Sequence, residues 1–134
     1  MSRKFLLIAC ISGAVCVALG AFGAHGLKNV LSEYQLRIYE TGVRYQFYHT
    51  FALLAVAIFS RYLSLRHIRI TGWLFVAGVI CFSGSLYLLA LADTLGIQDY
   101  EQVLGPVTPI GGLLLIAGWF MLFKAGLGYR HHKG

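Results

Sequence analysis

Charged side chains are scarce in this 134-residue sequence. They make up 12% of it, with five acidic residues against eleven Lys and Arg, while hydrophobic residues make up 58%. Soluble domains have about a quarter of their residues charged. A chain of this length also has too much surface for its volume to hide so many apolar side chains from water. The composition therefore predicts a single-domain integral membrane protein, residues 1–134, whose surplus apolar surface contacts membrane lipids.

Patterns for catalysis, cofactor binding or nucleic-acid binding are missing as well. The three cysteines, Cys10, Cys16 and Cys81, lie in apolar stretches without C-x-x-C spacing, which favours apolar packing over a disulfide or metal site. No phosphate loop, carboxylate pair or nucleophile–base pair is present, so we predict no enzymatic activity and no cofactor. The net charge of +6 comes from short basic runs beside apolar stretches, which argues against nucleic acid as a partner.

Four apolar stretches are each close to the ~20 residues that a helix needs to cross ~30 Å of hydrocarbon. They are residues 5–24, 45–63, 70–92 and 106–127. Because backbone groups in lipid must be paired within the span, these stretches predict an all-α membrane protein, a bundle of four transmembrane helices. The first stretch could instead be a cleaved signal peptide. Its apolar run is about twice the usual length for such a peptide, which favours a retained helix.

The connection between the first two stretches predicts a short amphipathic helix over residues 32–42. Ser32, followed three residues later by Gln35, matches a capping box. We interpret this helix as lying in the outer headgroup region and ending near Gly42. A solvated linker helix is the alternative.

Lys and Arg are distributed unevenly around the predicted spans. Eight lie near the two termini or around residues 64–69, including Arg130 and Lys133, while three lie in the first connection. All five acidic residues fall in the first and third connections. By the positive-inside rule, this distribution predicts a protein of the plasma or inner membrane with both termini in the cytoplasm.

Small residues on the predicted helices mark helix-packing faces, because they let backbones approach closely in a membrane. The glycines assigned to packing are Gly13, Gly20, Gly23, Gly78, Gly84 and Gly112. The first helix carries small residues over most of its circumference, so we expect it at the centre of the bundle. Such faces also suggest a second copy of the chain or another membrane protein as a partner.

Four polar residues near the outer ends of the spans form the predicted site. They are His25, His49, Ser85 and Thr108. At ~1.5 Å per residue all four lie in the outer leaflet, where polar side chains are costly and often functional. Alternatively, the hydroxyls bond to their own helix and the histidines sit at the wet interface. A metal or haem site is the weakest hypothesis, because no third ligand accompanies the two histidines.

Two functions remain compatible with these features. The first is a non-enzymatic accessory or assembly component of the membrane. The alternative is a module that binds or passes a small apolar or amphiphilic molecule through an outer-leaflet pocket formed by the four polar residues.

Four ordered motifs resemble those of a known family. They are residues 20–27 (Gly-Ala-Phe-Gly-Ala-His-Gly-Leu), 39–46 (Tyr-Glu-Thr-Gly-Val-Arg-Tyr-Gln), 82–87 (Phe-Ser-Gly-Ser-Leu-Tyr) and 108–112 (Thr-Pro-Ile-Gly-Gly). The sequence resembles the domain-of-unknown-function 423 family, which includes transmembrane protein 256. The resemblance covers nearly the whole chain and implies a multi-pass membrane protein of about this length. It implies no particular reaction, ligand or catalytic residue.

Overall fold

A computed structural model describes residues 1–129, which form helices and connecting turns without any strand. The helices are α1 (Arg3–His25), α2 (Glu33–Phe59), α3 (Leu65–Ala90), the short α4 (Ala92–Leu95) and α5 (Glu101–Leu127), with a 3-10 turn at Gln98–Tyr100. The predicted all-α class is confirmed. Arg130 and Lys133, two of the cations in the charge distribution, lie outside the described residues.

The segment that precedes the second apolar stretch belongs to a long helix. The predicted separate helix ending near Gly42 is wrong, because α2 runs unbroken from Glu33 to Phe59. The capping box is present at its start: the Ser32 hydroxyl accepts from the Gln35 backbone N–H at 3.2 Å, and the Gln35 side chain accepts from the Ser32 N–H at 2.9 Å. Gly42 does not break the helix. Its missing side chain instead makes room for the Tyr87 ring of α3.

Three helical segments are long and apolar enough to cross a membrane: α1, α3 and Gln98–Leu127, which contains α5. α2 is not among these three, and the polar residues Gln46 and His49 interrupt its apolar stretch, which Arg44 precedes. The predicted starts at residues 70 and 106 are wrong, since α3 begins at Leu65 and α5 at Glu101. Pro106 and Pro109 lie inside α5. Proline favours the first turn of a helix, which suggested a start at residue 106, but membrane helices also tolerate proline further in.

The long helices pack as a row in chain order, α1 on α2, α2 on α3 and α3 on α5. The predicted central position of α1 is therefore wrong, because its main neighbour is α2. It reaches α3 near Phe5, whose ring occupies the space beside Gly72. The small residues Ala14 and Ala18 on α1 are exposed rather than covered by a neighbouring helix.

Apolar side chains form two separate clusters along this row. The larger lies towards the N-terminal end of α1 and contains Phe5, Ala9, Ala52, Leu53, Val56, Ala57, Ile68, Phe75 and Leu115. The smaller lies at the opposite end and contains Leu27, Leu31, Tyr39 and Ala90. On α2, residues 40–51 separate the two clusters, and this stretch carries the polar contacts described next.

Candidate functional site

Two of the predicted polar residues meet directly between α3 and α5. The Ser85 and Thr108 hydroxyl oxygens are 2.6 Å apart, and Ser85 also donates to the Phe82 carbonyl at 2.9 Å. Since the Ser85 proton is directed to that carbonyl, Thr108 donates to Ser85. Both hydroxyl protons are therefore used, and the pair acts as a bond between two helices.

His49 lies in a different part of the bundle. It is buried, its Nδ1 is 2.7 Å from the Tyr45 carbonyl, and its Nε2 accepts from the Trp119 indole N–H at 3.1 Å. A carbonyl can only accept, so Nδ1 carries the proton and Nε2 offers its lone pair. Both ring nitrogens are thus engaged. Trp119 stands eleven residues beyond Thr108 on α5, which is roughly 16 Å along the helix axis.

His25 is exposed at the last residue of α1. The structure therefore brings Ser85 and Thr108 together. His49 contacts α5 at Trp119, about three helical turns from Thr108. His25 stays at the end of α1, which packs on α2. The four residues do not line one pocket.

Gln46, which the sequence prediction did not include, forms the polar centre of the bundle. It is buried on α2, its amide nitrogen donates to the Ser12 carbonyl of α1 at 3.1 Å, and its amide oxygen accepts from the Tyr87 hydroxyl of α3 at 2.7 Å. One side chain thereby joins three helices. The available signal was the residue type itself, because an amide inside the apolar stretch 45–63 is unusual in a membrane.

Further hydrogen bonds extend this contact along α2. The Thr50 hydroxyl is 2.7 Å from that of Ser12 and donates to the Gln46 carbonyl at 2.9 Å. We call Ser12, Gln46, Thr50 and Tyr87 the polar seam. Ser12 is nine residues from the start of α1, roughly 14 Å along its axis, so the seam lies near the middle of this helix.

A groove of about 470 Å³ runs beside the polar seam, between α1 and α3. Its polar residues are Ser12, Gln46, Ser83 and Tyr87, and the remaining residues are apolar or glycine: Ile8, Ile11, Val15, Leu19, Leu53, Val76, Val79, Ile80 and Gly84. We call it the lateral groove. Gln46 has a second amide hydrogen and the Tyr87 oxygen can still accept one hydrogen bond. A few polar groups in an apolar cleft of ~300–1,000 Å³ are typical of small-molecule sites.

The predicted packing glycines differ in how closely a neighbour approaches them. A Cβ at Gly23 would lie 2.6 Å from the Tyr39 ring, and one at Gly78 would lie 2.5 Å from Leu115. At Gly13, Gly20 and Gly112 the nearest atoms are at ordinary contact distances of 3.4, 3.5 and 3.7 Å. Gly84 has nothing within 4 Å and borders the lateral groove.

Two glycines that the sequence prediction omitted have the closest neighbours among the glycines of α5. A Cβ at Gly111 would collide with the backbone of Phe82 on α3, and one at Gly118 would lie 2.7 Å from the Phe75 ring. These contacts set the register of the antiparallel pair and hold Ser85 opposite Thr108.

Comparison with known proteins is consistent with this architecture. A family model described as "Protein of unknown function (DUF423)" matches residues 19–112. A UPF0382 membrane protein of Staphylococcus aureus is 42% identical over 123 residues, covering 92% of this chain and 94% of its own length. The UPF0382 membrane protein YwdK of Bacillus subtilis is 37% identical, covering 95% and 98%. A UPF0382 membrane protein of Haemophilus influenzae is 42% identical, covering 91% and 92%. No solved structure matches the chain.

Proposed function

Since this chain belongs to the DUF423 family, whose curated relatives are named membrane proteins, we propose that it is a non-enzymatic accessory protein of the membrane. In this proposal it holds an amphiphilic, lipid-like molecule in the lateral groove. The observation that carries this proposal is the pairing of apolar groove walls with the polar groups of Gln46 and Tyr87. The groove replaces the outer-leaflet pocket predicted from His25, His49, Ser85 and Thr108.

The proposal includes four membrane spans. α2 has 27 residues, roughly 40 Å, and packs between α1 and α3, both of which are apolar enough to span. A helix packed in this way shares the membrane with its neighbours, and its buried polar side chains Gln46, His49 and Thr50 are paired with groups of α1, α3 or α5 rather than exposed to lipid. The predicted cytoplasmic placement of both termini, in the plasma or inner membrane, follows from the uneven Lys and Arg distribution.

This topology predicts opposite labelling of two single cysteines. In a variant whose native Cys10, Cys16 and Cys81 are replaced by alanine, Ser64→Cys in the α2–α3 loop should react with a membrane-impermeant maleimide only after the cells are opened. Gln98→Cys, before α5, should react in intact cells. Both cysteines reacting from the same side would refute a span by α3. The reverse pattern, with Ser64→Cys labelled in intact cells, would refute the cytoplasmic placement of the α2–α3 loop that a span by α2 requires.

The ligand class follows from the position of the polar seam. A molecule that enters between α1 and α3 comes from the lipid phase, so most of its surface must be apolar. The second amide hydrogen of Gln46 and the Tyr87 oxygen then offer one donor and one acceptor to a carboxyl, ester or hydroxyl group. A single-chain amphiphile meets both requirements, whereas a hydrocarbon would leave these polar groups unused.

Gly84→Leu should block the lateral groove. Because nothing lies within 4 Å of a Cβ at this position, the leucine projects into the groove without displacing a helix. The probe is palmitic acid bearing a diazirine, added to purified protein in nanodiscs, irradiated and located by mass spectrometry. We expect adducts concentrated on residues 8–19 and 76–87, and about a tenfold loss in the variant, equivalent to ~1.4 kcal/mol of binding.

The matched control is Gly126→Leu, since Gly126 also has nothing within 4 Å but lies on α5, outside the groove. Its adducts should match those of the wild type. Adducts spread evenly over all lipid-facing residues, or undiminished in Gly84→Leu, would contradict the proposal. Cross-links from α1 to another polypeptide in place of the probe would instead favour the assembly hypothesis, for which the exposed Ala14 and Ala18 of α1 provide a face.

A further inference from the structure

A second cleft, separate from the lateral groove, lies between the start of α1 and the start of α3. It has a volume of about 330 Å³, and its lining includes Lys4, Arg69, Ser2, Ser60 and Trp73. We call it the basic pocket. We propose that the basic pocket binds the phosphate of an anionic phospholipid from the leaflet at this end of the bundle.

The charges around this pocket are of one sign. Lys4 comes from α1 and Arg69 from α3, so two helices present cations to one space. The acidic residues all lie between positions 33 and 101, in the first half of α2 or after the end of α3. They are therefore at the opposite end of the long helices. The Ser2 hydroxyl adds a hydrogen-bonding group of the kind that phosphate oxygens accept from, whereas the Ser60 hydroxyl donates to the Ala57 carbonyl.

An apolar cleft continues from the basic pocket along α3. This cleft, about 320 Å³, is lined by Arg69, Ile70, Trp73 and Leu74, so it shares Arg69 and Trp73 with the pocket. A free phosphate ion would use only the cationic part. A phospholipid uses both, with its phosphate between Lys4 and Arg69 and an acyl chain beside Ile70 and Leu74.

Trp73 supports a position of the basic pocket at the level of the lipid headgroups. The Lys4 ammonium lies 5.5 Å from the centroid of the Trp73 ring, a cation–π contact that joins α1 to α3. Trp is typical of the membrane–water interface, where its ring is at headgroup level. The pocket is thus at the level where lipid phosphates occur, and basic pockets between membrane helices are known to bind anionic headgroups.

The test uses Trp73 as the reporter. In a Trp119→Phe background, Trp73 is the remaining tryptophan, and phospholipids with brominated acyl chains quench it on contact. We expect brominated phosphatidylglycerol to quench at much lower mole fraction than brominated phosphatidylcholine in the same nanodiscs. Each cation contributes roughly a fivefold preference for phosphatidylglycerol over phosphatidylcholine. Lys4→Gln combined with Arg69→Gln should therefore lower the preference by about 25-fold.

The controls separate a specific site from general attraction. Arg66→Gln removes an exposed cation of α3 that does not line the pocket, so the preference should persist. Lys4→Arg with Arg69→Lys should also keep it, which distinguishes loss of charge from misfolding. Equal quenching by the two lipids, the same loss in Arg66→Gln, or displacement of the lipid by inorganic phosphate would each overturn the proposal. Gly84→Leu should leave this preference unchanged, so failure here and failure of the groove proposal are distinguishable.

Discussion

Gly111→Ala will lower the free energy of unfolding by about 1–3 kcal/mol, the usual effect of inserting a methyl group into a packed contact. The new Cβ would collide with the backbone nitrogen and Cα of Phe82. A flexible side chain could move aside, but a helix backbone can yield only by moving α3 away from α5. That movement would also weaken the Ser85–Thr108 bond and the Gly118–Phe75 contact. Unfolding by SDS titration in mixed micelles, followed by circular dichroism, measures the change.

Gly126→Ala, on the same helix, should give the opposite sign. No atom of a neighbouring element lies within 4 Å of a Cβ at Gly126, so alanine adds no clash and gains up to ~1 kcal/mol from its higher helix propensity. A loss of stability at Gly126 equal to that at Gly111 would indicate a general intolerance of α5 to substitution. An unchanged stability of Gly111→Ala would show that the two helices do not approach as closely as described.

The glycines show what periodicity can and cannot predict. Small residues on α3 and α5 identified these as packing helices, and Gly78 does lie against Leu115. The contacts at Gly111 and Gly118 depend on the register of two helices that slide past each other, and a single helical wheel carries no register. The same limit led to the wrong central position of α1. Its small residues permit close packing on several sides, but they do not say which sides are covered.

The candidate site shows a second limit. Membrane depth could be estimated from topology, but equal depth does not bring side chains together, and His49 instead bonds Trp119 across to α5. The sequence prediction missed Gln46 for a different reason. It stands among aromatic residues in a stretch that reads as a helix start, so it resembled an interfacial residue. The structure extends α2 by more than two turns before this point, which moves Gln46 from the predicted end of a helix to its middle.

Gln46→Leu will destabilise the protein by about 1–3 kcal/mol, because it removes two hydrogen bonds and leaves the half-buried Tyr87 hydroxyl without its acceptor. Tyr87→Phe alone should cost less, about 0.6–1.7 kcal/mol, from the average to the maximum measured for hydrogen bonds between membrane helices. Both variants break the same bond. The double variant should therefore cost less than the sum of the two, by roughly 1 kcal/mol in a double-mutant cycle, measured by the same SDS titration.

Ser60→Ala supplies the matched control for this cycle. Ser60 bonds within its own helix, to the Ala57 carbonyl, and stands fourteen residues beyond Gln46, roughly 21 Å along α2. Its effect should add to that of Gln46→Leu within about 0.5 kcal/mol. Gln46→Leu should also reduce labelling of the lateral groove by the diazirine fatty acid, because the leucine keeps the apolar walls and removes the donor. Strict additivity of Gln46→Leu and Tyr87→Phe would contradict the bond between the two side chains. Unchanged labelling would mean that the polar seam joins helices and takes no part in binding.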